Sequence, residues 1–346
     1  MEHTSFIVIN NSSLCYVEYD FENDEQFCQK PTEELFDLGS LGYFDVVGEE
    51  DIDIVIVGSC NGLVCLTTKI SNFLCGHVYV CNPIIRECVE LPSLVPSNKD
   101  YKGAGYFSMY YGFGYLPLSN EYKVVRIISK SLNFKTIMNK RKVDVYTLGD
   151  GRGWRDGGEI DELFVPQCQS VLVDGELHWI EPRPHSITVF DLTDEKFYML
   201  PAPHRLLSDG GPKKVVVLDG QLCIFQATTD GSWNIWLKKK MDDNSNFREQ
   251  DGEDKIWRKE STMTMKKIGK YQPLTITKNG DILLFYEEKY NLERNSVVIR
   301  YDPKASTSKE LGDLGLPLPG YGKPTLHVNN YISLRSLGEP TAVSRL

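Results

Sequence analysis

The chain predicts an all-β fold, a β-propeller of six four-stranded blades, and three features of its sequence carry that prediction. The first is a short apolar strand that ends in a turn residue and recurs at intervals of tens of residues: FIVIN at 6–10, VYVCN at 78–82, VDVYT at 143–147, ITVFD at 187–191 and VIRYD at 298–302, with WNIWL at 233–237 as a looser copy. Self-similarity at such a period points to stacked β units rather than one continuous sheet. The second is a set of tight hairpins, Asn61-Gly62, Asp174-Gly175, Asp219-Gly220 and Asn279-Gly280, each between two apolar runs. Asn-Gly and Asp-Gly supply the positive φ angles of a type I′ turn, the strongest short-range hairpin signal. The third is the order of these signals, since a hairpin precedes each strand-plus-turn unit and the two together make four strands.

Grouped this way, residues 53–91, 108–156, 168–200, 213–261 and 273–311 each hold four strands. In the second group the hairpin is looser, joining Tyr110–Tyr115 to Tyr122–Ile128 through Leu118-Ser119-Asn120-Glu121. A strand pair remains at each end, 6–19 and 324–336, and together these form a sixth blade closed by both termini. Such closure removes an open sheet edge that would otherwise template aggregation. Inner strands such as Ile54–Val57 and Val215–Leu218 are apolar on both faces, as befits strands sandwiched between neighbouring blades. Residues 1–346 therefore read as a single propeller domain, with 1–20 and 324–336 sharing the closing blade. Residues 241–255 are polar and acidic without apolar periodicity, and read as a solvated surface loop within the fourth blade.

Composition bounds the function. A 41% hydrophobic and 11% aromatic share suits a protein with a substantial core. With 38 basic against 48 acidic residues the net charge is −10, which argues against nucleic acid as a partner and favours encounter with basic proteins. The N-terminal apolar run Phe6–Ile9 is too short for a signal sequence, and no stretch reaches the ~20 apolar residues of a membrane span. Nine cysteines, an odd number without a secretory signal, read as reduced thiols in a cytoplasmic or nuclear protein.

Connection lengths locate a binding face. Within each blade the first-to-second and third-to-fourth connections read as tight turns, whereas the longer ones, 67–76, 92–107, 129–141, 201–212, 262–272, 287–295 and 312–323, fall between second and third strands or between blades. Antiparallel alternation sends the long connections to one end of every blade, and long loops on a rigid scaffold carry function. The aromatic, Arg, His and Lys residues of these loops are the candidates for binding a protein: Phe73, Tyr101, Tyr106, Phe134, Arg183, His185, His204, Arg205, Tyr290, Arg294, Tyr321 and Lys323. The structural alternative for each aromatic is that it folds back onto its blade as packing.

Chemistry has no comparable signal. Cys75, His77 and Cys81 place three soft metal-ligand types close together, but nothing completes a four-ligand set, so no metal or cofactor is expected. His178-Trp179 admits a catalytic reading and a packing one, and the packing reading fits a strand interior better. The glycines of 149–158 and 315–322 lack Gly-Lys-Ser/Thr, and no Gly-x-Ser-x-Gly elbow occurs. A non-enzymatic binding protein is the expectation. The alternatives are a propeller glycosidase or metal-dependent oxidase, which a carboxylate pair or bound metal would mark, and a truncated product without a retained role.

The residues also resemble a known family. GSCNGLVCL at 58–66, VYVCNPIIRECVELP at 78–92 and YGFGYLPLSNEYKVVRI at 111–127 are similar to the F-box-associated domain of plant F-box proteins, including kelch-like and S-locus F-box members. DVYTLGDGRGWR at 144–155, VDGELHWI at 173–180, ITVFDLTDEKFYMLP at 187–201, LDGQLCIF at 218–225 and IRYDPK at 299–304 continue the likeness in order. The resemblance implies a β-propeller that recognises protein targets for a cullin-based (SCF-type) ubiquitin ligase, an F-box docking the ligase adaptor. An F-box would precede the domain, yet Met1 lies only a few residues before the first strand, so the adaptor is expected as a partner only if an F-box is supplied upstream. Target-binding residues vary within the family, and none carries over to a position here.

Overall fold

The structure, a computed structural model, describes residues 4–10, 13–19, 33–37, 52–70, 73–93, 106–133, 136–137, 140–161, 170–180, 186–203, 206, 211–239, 256–265, 267, 269–288, 296–313, 324–339 and 343–344. The described residues form six antiparallel sheets, the blades of a six-bladed β-propeller. After β1 (Thr4–Asn10), β2 (Ser13–Tyr19) and β3 (Glu33–Asp37), the first blade holds β4 (Ile52–Cys60), β5 (Leu63–Ile70), β6 (Phe73–Asn82) and β7 (Glu87–Glu90). The second holds β8 (Tyr106–Leu116), β9 (Glu121–Asn133), β10 (Thr136–Ile137), β11 (Lys140–Thr147) and β12 (Arg155–Asp161). The third holds β13 (Val171–Val173), β14 (Glu176–Ile180), β15 (Ser186–Asp191) and β16 (Lys196–Pro201). The fourth follows with β17 (Lys213–Leu218), β18 (Gln221–Ala227), β19 (Ser232–Lys238) and β20 (Trp257–Thr264). The fifth is β21 (Gly269–Ile276), β22 (Ile282–Glu288), β23 (Ser296–Asp302) and β24 (Thr307–Asp313). Two short C-terminal strands complete the set, β25 (Thr325–His327) and β26 (Val343–Ser344).

Both chain ends build the closing blade, as expected. Its order is β25-β1-β2-β3, with Ser5 opposite His327 and Ile7 opposite Thr325. The division of labour differs from the sequence reading. The C-terminus supplies one strand of this sheet rather than a pair, and residues 328–339 carry no strand. The second C-terminal strand, β26, instead pairs with β7 at the outer edge of the first blade, Val343 opposite Cys88.

Two compact units are distinguishable, one of Met1–Phe164, Leu192–Lys196 and Gly320–Leu346, the other of Val165–Asp191 and Phe197–Pro319. In the first unit, period-2 alternation feeds two cores at once. On β5, Leu63 and Cys65 enter one cluster with Val78, Val80, Tyr111, Phe113 and Tyr122, while Val64 and Leu66 enter another with Ile7, Ile9, Leu14 and Tyr79. A strand buried on both faces must be apolar at successive positions, and these four side chains are wholly inaccessible. Each contributes roughly 1.5–3 kcal/mol where the side chain is a buried Leu or Val. The second unit repeats the device on β18, where Leu222 and Ile224 face one cluster and Cys223 and Phe225 the other.

The hairpin prediction holds in its geometry. Asn61 and Gly62 adopt φ of 44° and 86°, Asp174 and Gly175 51° and 80°, and Asp219 and Gly220 49° and 68°, so each pair is left-handed at both turn positions. The fourth pair differs: Gly280 alone is left-handed, at φ 88°, and its N–H bonds to the Thr277 carbonyl at 2.8 Å. That is a type I turn followed by a glycine bulge, which needs no positive φ at Asn279.

The connections depart further from expectation. Residues 67–76 are mostly strand, since β5 runs to Ile70 and β6 starts at Phe73, and 129–141 contributes the end of β9, all of β10 and the start of β11. Residues 262–272 likewise include the end of β20 and the start of β21. Two joins break the rule that third-to-fourth connections are tight. Residues 239–256 link β19 to β20 and residues 20–32 link β2 to β3, so both start and finish at the end of their blades that carries the tight turns. Repeating strands fix where a connection attaches, but not how long it is.

Candidate interaction faces

Few of the candidate binding residues fall within the described structure. Phe73 opens β6 opposite Ile70, and Tyr106 opens β8 opposite Ser131, so both lie in strands rather than in the connections where the sequence placed them. Tyr101, Phe134, Arg183, His185, His204, Arg205, Tyr290, Arg294, Tyr321 and Lys323, with the acidic 241–255 segment, lie outside the described residues.

The opposite end of the first and second blades, where the tight turns gather, is built in detail, and the C-terminal segment 328–339 lies across it. Asn330 Nδ2 donates to Asn61 Oδ1 at 3.2 Å, and Asn61 Nδ2 donates to Tyr122 Oη at 2.7 Å. Asn82, wholly buried, donates from Nδ2 to the carbonyls of Asn330 (2.9 Å) and Ile332 (2.8 Å), while its Oδ1 accepts from Ile84 N–H. Glu87 accepts from Ser333 Oγ at 2.9 Å and from Leu334 N–H at 2.7 Å. Leu334 is wholly buried in the core between the two blades. Residues 334–338 make a single turn ended by Gly338 at φ 103°, which returns Glu339 N–H to the Leu334 carbonyl. Glu339 then accepts from Gly149 N–H at 2.8 Å and from Tyr146 Oη at 3.1 Å, and burial, aided by the Glu339 carboxylate, pushes the Tyr146 phenol above its ordinary range. Gly62 and Gly149 are glycines for a reason beyond their φ. A Cβ on Gly62 would sit 2.3 Å from Asn330 Cβ, and one on Gly149 would sit 1.6 Å from the Leu337 carbonyl oxygen.

A second polar cluster fixes the turn Leu192–Lys196 in the first unit. Lys123, nearly buried, donates to the Leu192 carbonyl at 2.7 Å and to Glu195 Oε1 at 2.9 Å. Arg155 donates to both Glu195 oxygens, at 2.9 and 2.7 Å. The Arg155 hydrogen bonds, aided by Lys123, hold the Glu195 carboxyl down at about 2. A third polar group is enclosed in the second blade, where Arg126 and Asp144 pair at 2.9 Å with both side chains almost inaccessible. The Arg126 guanidinium also lies 3.8 Å over the Trp154 ring.

Of the groups weighed as chemistry, the described His, Trp and Cys residues lie in strands. His178 and Trp179 are wholly buried in β14, and burial lowers the His178 imidazole to about 4. Burial raises the thiols of Cys60 and Cys65 and takes Cys223 to about 12. His77 Nδ1 pairs with Glu90 at 2.7 Å, and Cys81 is disulfide-bonded to Cys88. That bond corrects the expectation of reduced thiols for this pair, while Cys60, Cys65 and Cys223 are free, and its cause is register: Cys81 and Cys88 stand directly opposite on β6 and β7. Sequence reasoning missed the 328–339 segment because its anchors, Asn330, Ser333, Leu334 and Glu339, follow no strand or helix period. One legible signal was Asn82, a side chain able to bond both its own turn and a neighbour.

The fold and this arrangement define a β-propeller scaffold whose tight-turn end is sealed, in its first two blades, by the chain's own C-terminus. The sequence profile described as F-box associated beta propeller domain matches residues 44–312, and the chain belongs to that family. It is 29% identical over 308 residues to the F-box protein At3g07870 of Arabidopsis thaliana, covering 76% of this chain and 66% of that one. It is 25% identical over 250 residues to the Arabidopsis F-box protein CPR1, covering 65% of this chain and 56% of that one. The chain thus spans between about half and two thirds of the length of these relatives. Among solved structures, a chain of the nidogen–laminin complex aligns over 94% of this chain and 99% of its own, with a TM-score of 0.50 and 12% identity, a likeness of fold alone.

Proposed function

We propose that this chain is the target-recognition domain of an F-box-type ubiquitin-ligase subunit, a non-enzymatic module of the cytoplasm or nucleus that binds a protein. The observation that carries the proposal is the family match over residues 44–312. A docking face of ~1,600 Å² in total, enough for a stable interface, would be supplied by the connections at the end of the blades away from the tight turns. Supporting this choice, the C-terminal segment occupies the tight-turn end of the first two blades. Tyr101, Phe134, Arg183, His185, His204, Arg205, Tyr290, Arg294, Tyr321 and Lys323 are the proposed anchors, together with Phe73 and Tyr106, which open β6 and β8. The net charge of −10 favours a basic target. Delivery of that target to a cullin-based ligase would go through an F-box joined to this domain.

The experiment is affinity capture from plant extract with the wild-type chain and two paired variants, Arg183→Ala with His185→Ala and Tyr290→Ala with Arg294→Ala. A target held by wild type and lost at least tenfold by either pair, with thermal melts unchanged, is the expected result. Lys304→Ala, in the tight turn of the fifth blade, should leave capture intact. Equal recovery by both pairs would reject the proposed face. Purified ligase adaptor should be recovered only by a version carrying an F-box upstream.

A further inference from the structure

We propose that the Cys81–Cys88 disulfide is a redox latch that holds the C-terminal segment 328–339 across the first blade. The two cysteines close the turn between β6 and β7, and the residues just inside that loop are the ones that grip the segment. Asn82, next to Cys81, donates to the Asn330 and Ile332 carbonyls. Glu87, next to Cys88, accepts from Ser333 Oγ and Leu334 N–H. The same short stretch of β7 pairs with β26, Val343 opposite Cys88 and Ser344 opposite Glu87. Two hydrogen-bonding anchors and one strand pairing of the C-terminus therefore depend on a single small hairpin, and one covalent bond fixes that hairpin.

The physical consequence follows from what the bond restricts. β7 is four residues long and lies beyond β6, so without the bridge it is held by hydrogen bonds and side-chain packing. Glu87, Cys88 and Val89 of this strand are buried, and a cross-link between opposed residues removes its frayed forms from the accessible states. When β7 frays, the Glu87 carboxylate moves away from Leu334 N–H and the edge that receives β26 goes with it. Cysteines that pair in proteins exposed to reducing conditions are characteristically transient and redox-sensing. Cys60, Cys65 and Cys223 are free thiols, so the disulfide among the described residues lies in this hairpin.

The chemistry balances with ordinary reagents. Two molecules of a small thiol reduce the bridge, returning the Cys81 and Cys88 thiols and forming one small-molecule disulfide. Hydrogen peroxide restores it. One thiolate attacks the O–O bond to give a sulfenic acid, the second thiol displaces its oxygen, and two waters leave for each disulfide formed.

The test is hydrogen exchange on the full chain in two states, peroxide-treated and dithiothreitol-reduced, with mass spectrometry of alkylated peptides reporting the Cys81–Cys88 pair. Protection at the Leu334 and Glu339 amides should fall about tenfold or more on reduction, the scale set by losing a cross-link worth over 1.4 kcal/mol. Exchange at Leu63 in the β4–β5 hairpin should stay the same. The double variant Cys81→Ala with Cys88→Ala should exchange like the reduced protein under both treatments. Failure of the pair to oxidise in the folded chain, equal protection in the two states, or a peroxide response retained by the double variant would each overturn the latch.

Discussion

Arg155 grips Glu195 with both ends of its guanidinium fork, Nη1 to Oε2 at 2.9 Å and Nη2 to Oε1 at 2.7 Å, while Lys123 reaches the same carboxylate at 2.9 Å. Glu195 is a non-glycine residue at φ 54°, the last position of a four-residue turn. The equivalent positions before β7 and β24, Arg86 and Ser306, are left-handed too, at φ 57° and 52°. Glu195 therefore accepts an unfavourable backbone geometry and is compensated by two cations.

The stability effect has a defined sign. The folded Glu195 carboxyl titrates near 2 against an ordinary 4.5, so its contribution is complete above about pH 4.5 and is lost as pH falls toward 2. Glu195→Gln should lower stability by about 2 kcal/mol at pH 7, with the difference from wild type shrinking steadily below pH 4.5. Urea melts of both proteins at pH 7, 4 and 3 would measure this. A difference that does not change with pH would mean that the turn, not the charge, is what the substitution disturbs.

Two glycines separate backbone geometry from contact with the C-terminal segment. Gly220 and Gly149 have similar φ, 68° and 75°, but among the described residues a Cβ on Gly220 meets nothing within 4 Å while one on Gly149 runs into the Leu337 carbonyl. Gly220→Ala should cost about 1 kcal/mol, the left-handed penalty of an L side chain. Gly149→Ala should cost at least about 3 kcal/mol, because segment 334–339 must also shift. Equal costs in urea titration would show that the segment yields freely.

The fold was legible because its signals are local and repeated. Asn61-Gly62, Asp174-Gly175 and Asp219-Gly220 announce hairpins by dihedral requirement alone, and doubly apolar runs such as Leu63–Leu66 announce strands covered on both faces. What escaped the sequence depends on contacts between residues hundreds of positions apart. Glu339 finds Gly149, Asn82 finds Asn330, and Val343 extends β7, yet Asn330, Glu339 and Val343 belong to no periodic pattern. The Cys81–Cys88 bond illustrates the middle case. Its two positions were readable as a strand, a turn and a second strand, but only an exact register sets one sulfur opposite the other. The proposed binding residues stand furthest from legibility, since loop side chains answer to a partner that the chain's own periodicity does not encode.

Arg126 and Asp144 test whether a buried ion pair holds the second blade or merely resides in it. Among the described residues Arg126 Nε and Nη1 have no hydrogen-bond partner, so part of its desolvation is uncompensated there, while Asp144 also receives Lys142 at 2.8 Å. Asp144→Ala would strand a wholly buried guanidinium and should cost about 3–5 kcal/mol. Arg126→Met with Asp144→Leu removes both charges and should cost much less than Asp144→Ala alone. Denaturant midpoints of the single and double variants decide it. A double variant as unstable as the single would assign the loss to packing over Trp154.

Two buried histidines should give the acid limb a second, earlier step. His178 in β14 and His327 in β25 are both nearly inaccessible, and burial lowers each imidazole to about 4 from an ordinary 6.5. For His178 the nearby Lys238 adds to the shift, and for His327 the ring Nδ1 shares a 2.9 Å hydrogen bond with Ser59 Oγ. Between these values the unfolded chain binds protons that the folded chain refuses. Stability therefore declines as pH falls from about 6.5 to 4, by up to about 3 kcal/mol per histidine, and the loss is complete below that window. Glu195 contributes its own decline between 4.5 and 2, so the two effects overlap only near pH 4. His178→Gln should remove roughly half of the slope between pH 6.5 and 4 and leave the Glu195 step in place. Stability measured by urea at half-unit intervals across pH 7 to 3 would resolve the steps, and a slope unchanged by His178→Gln would place its proton uptake equally in the folded and unfolded chain.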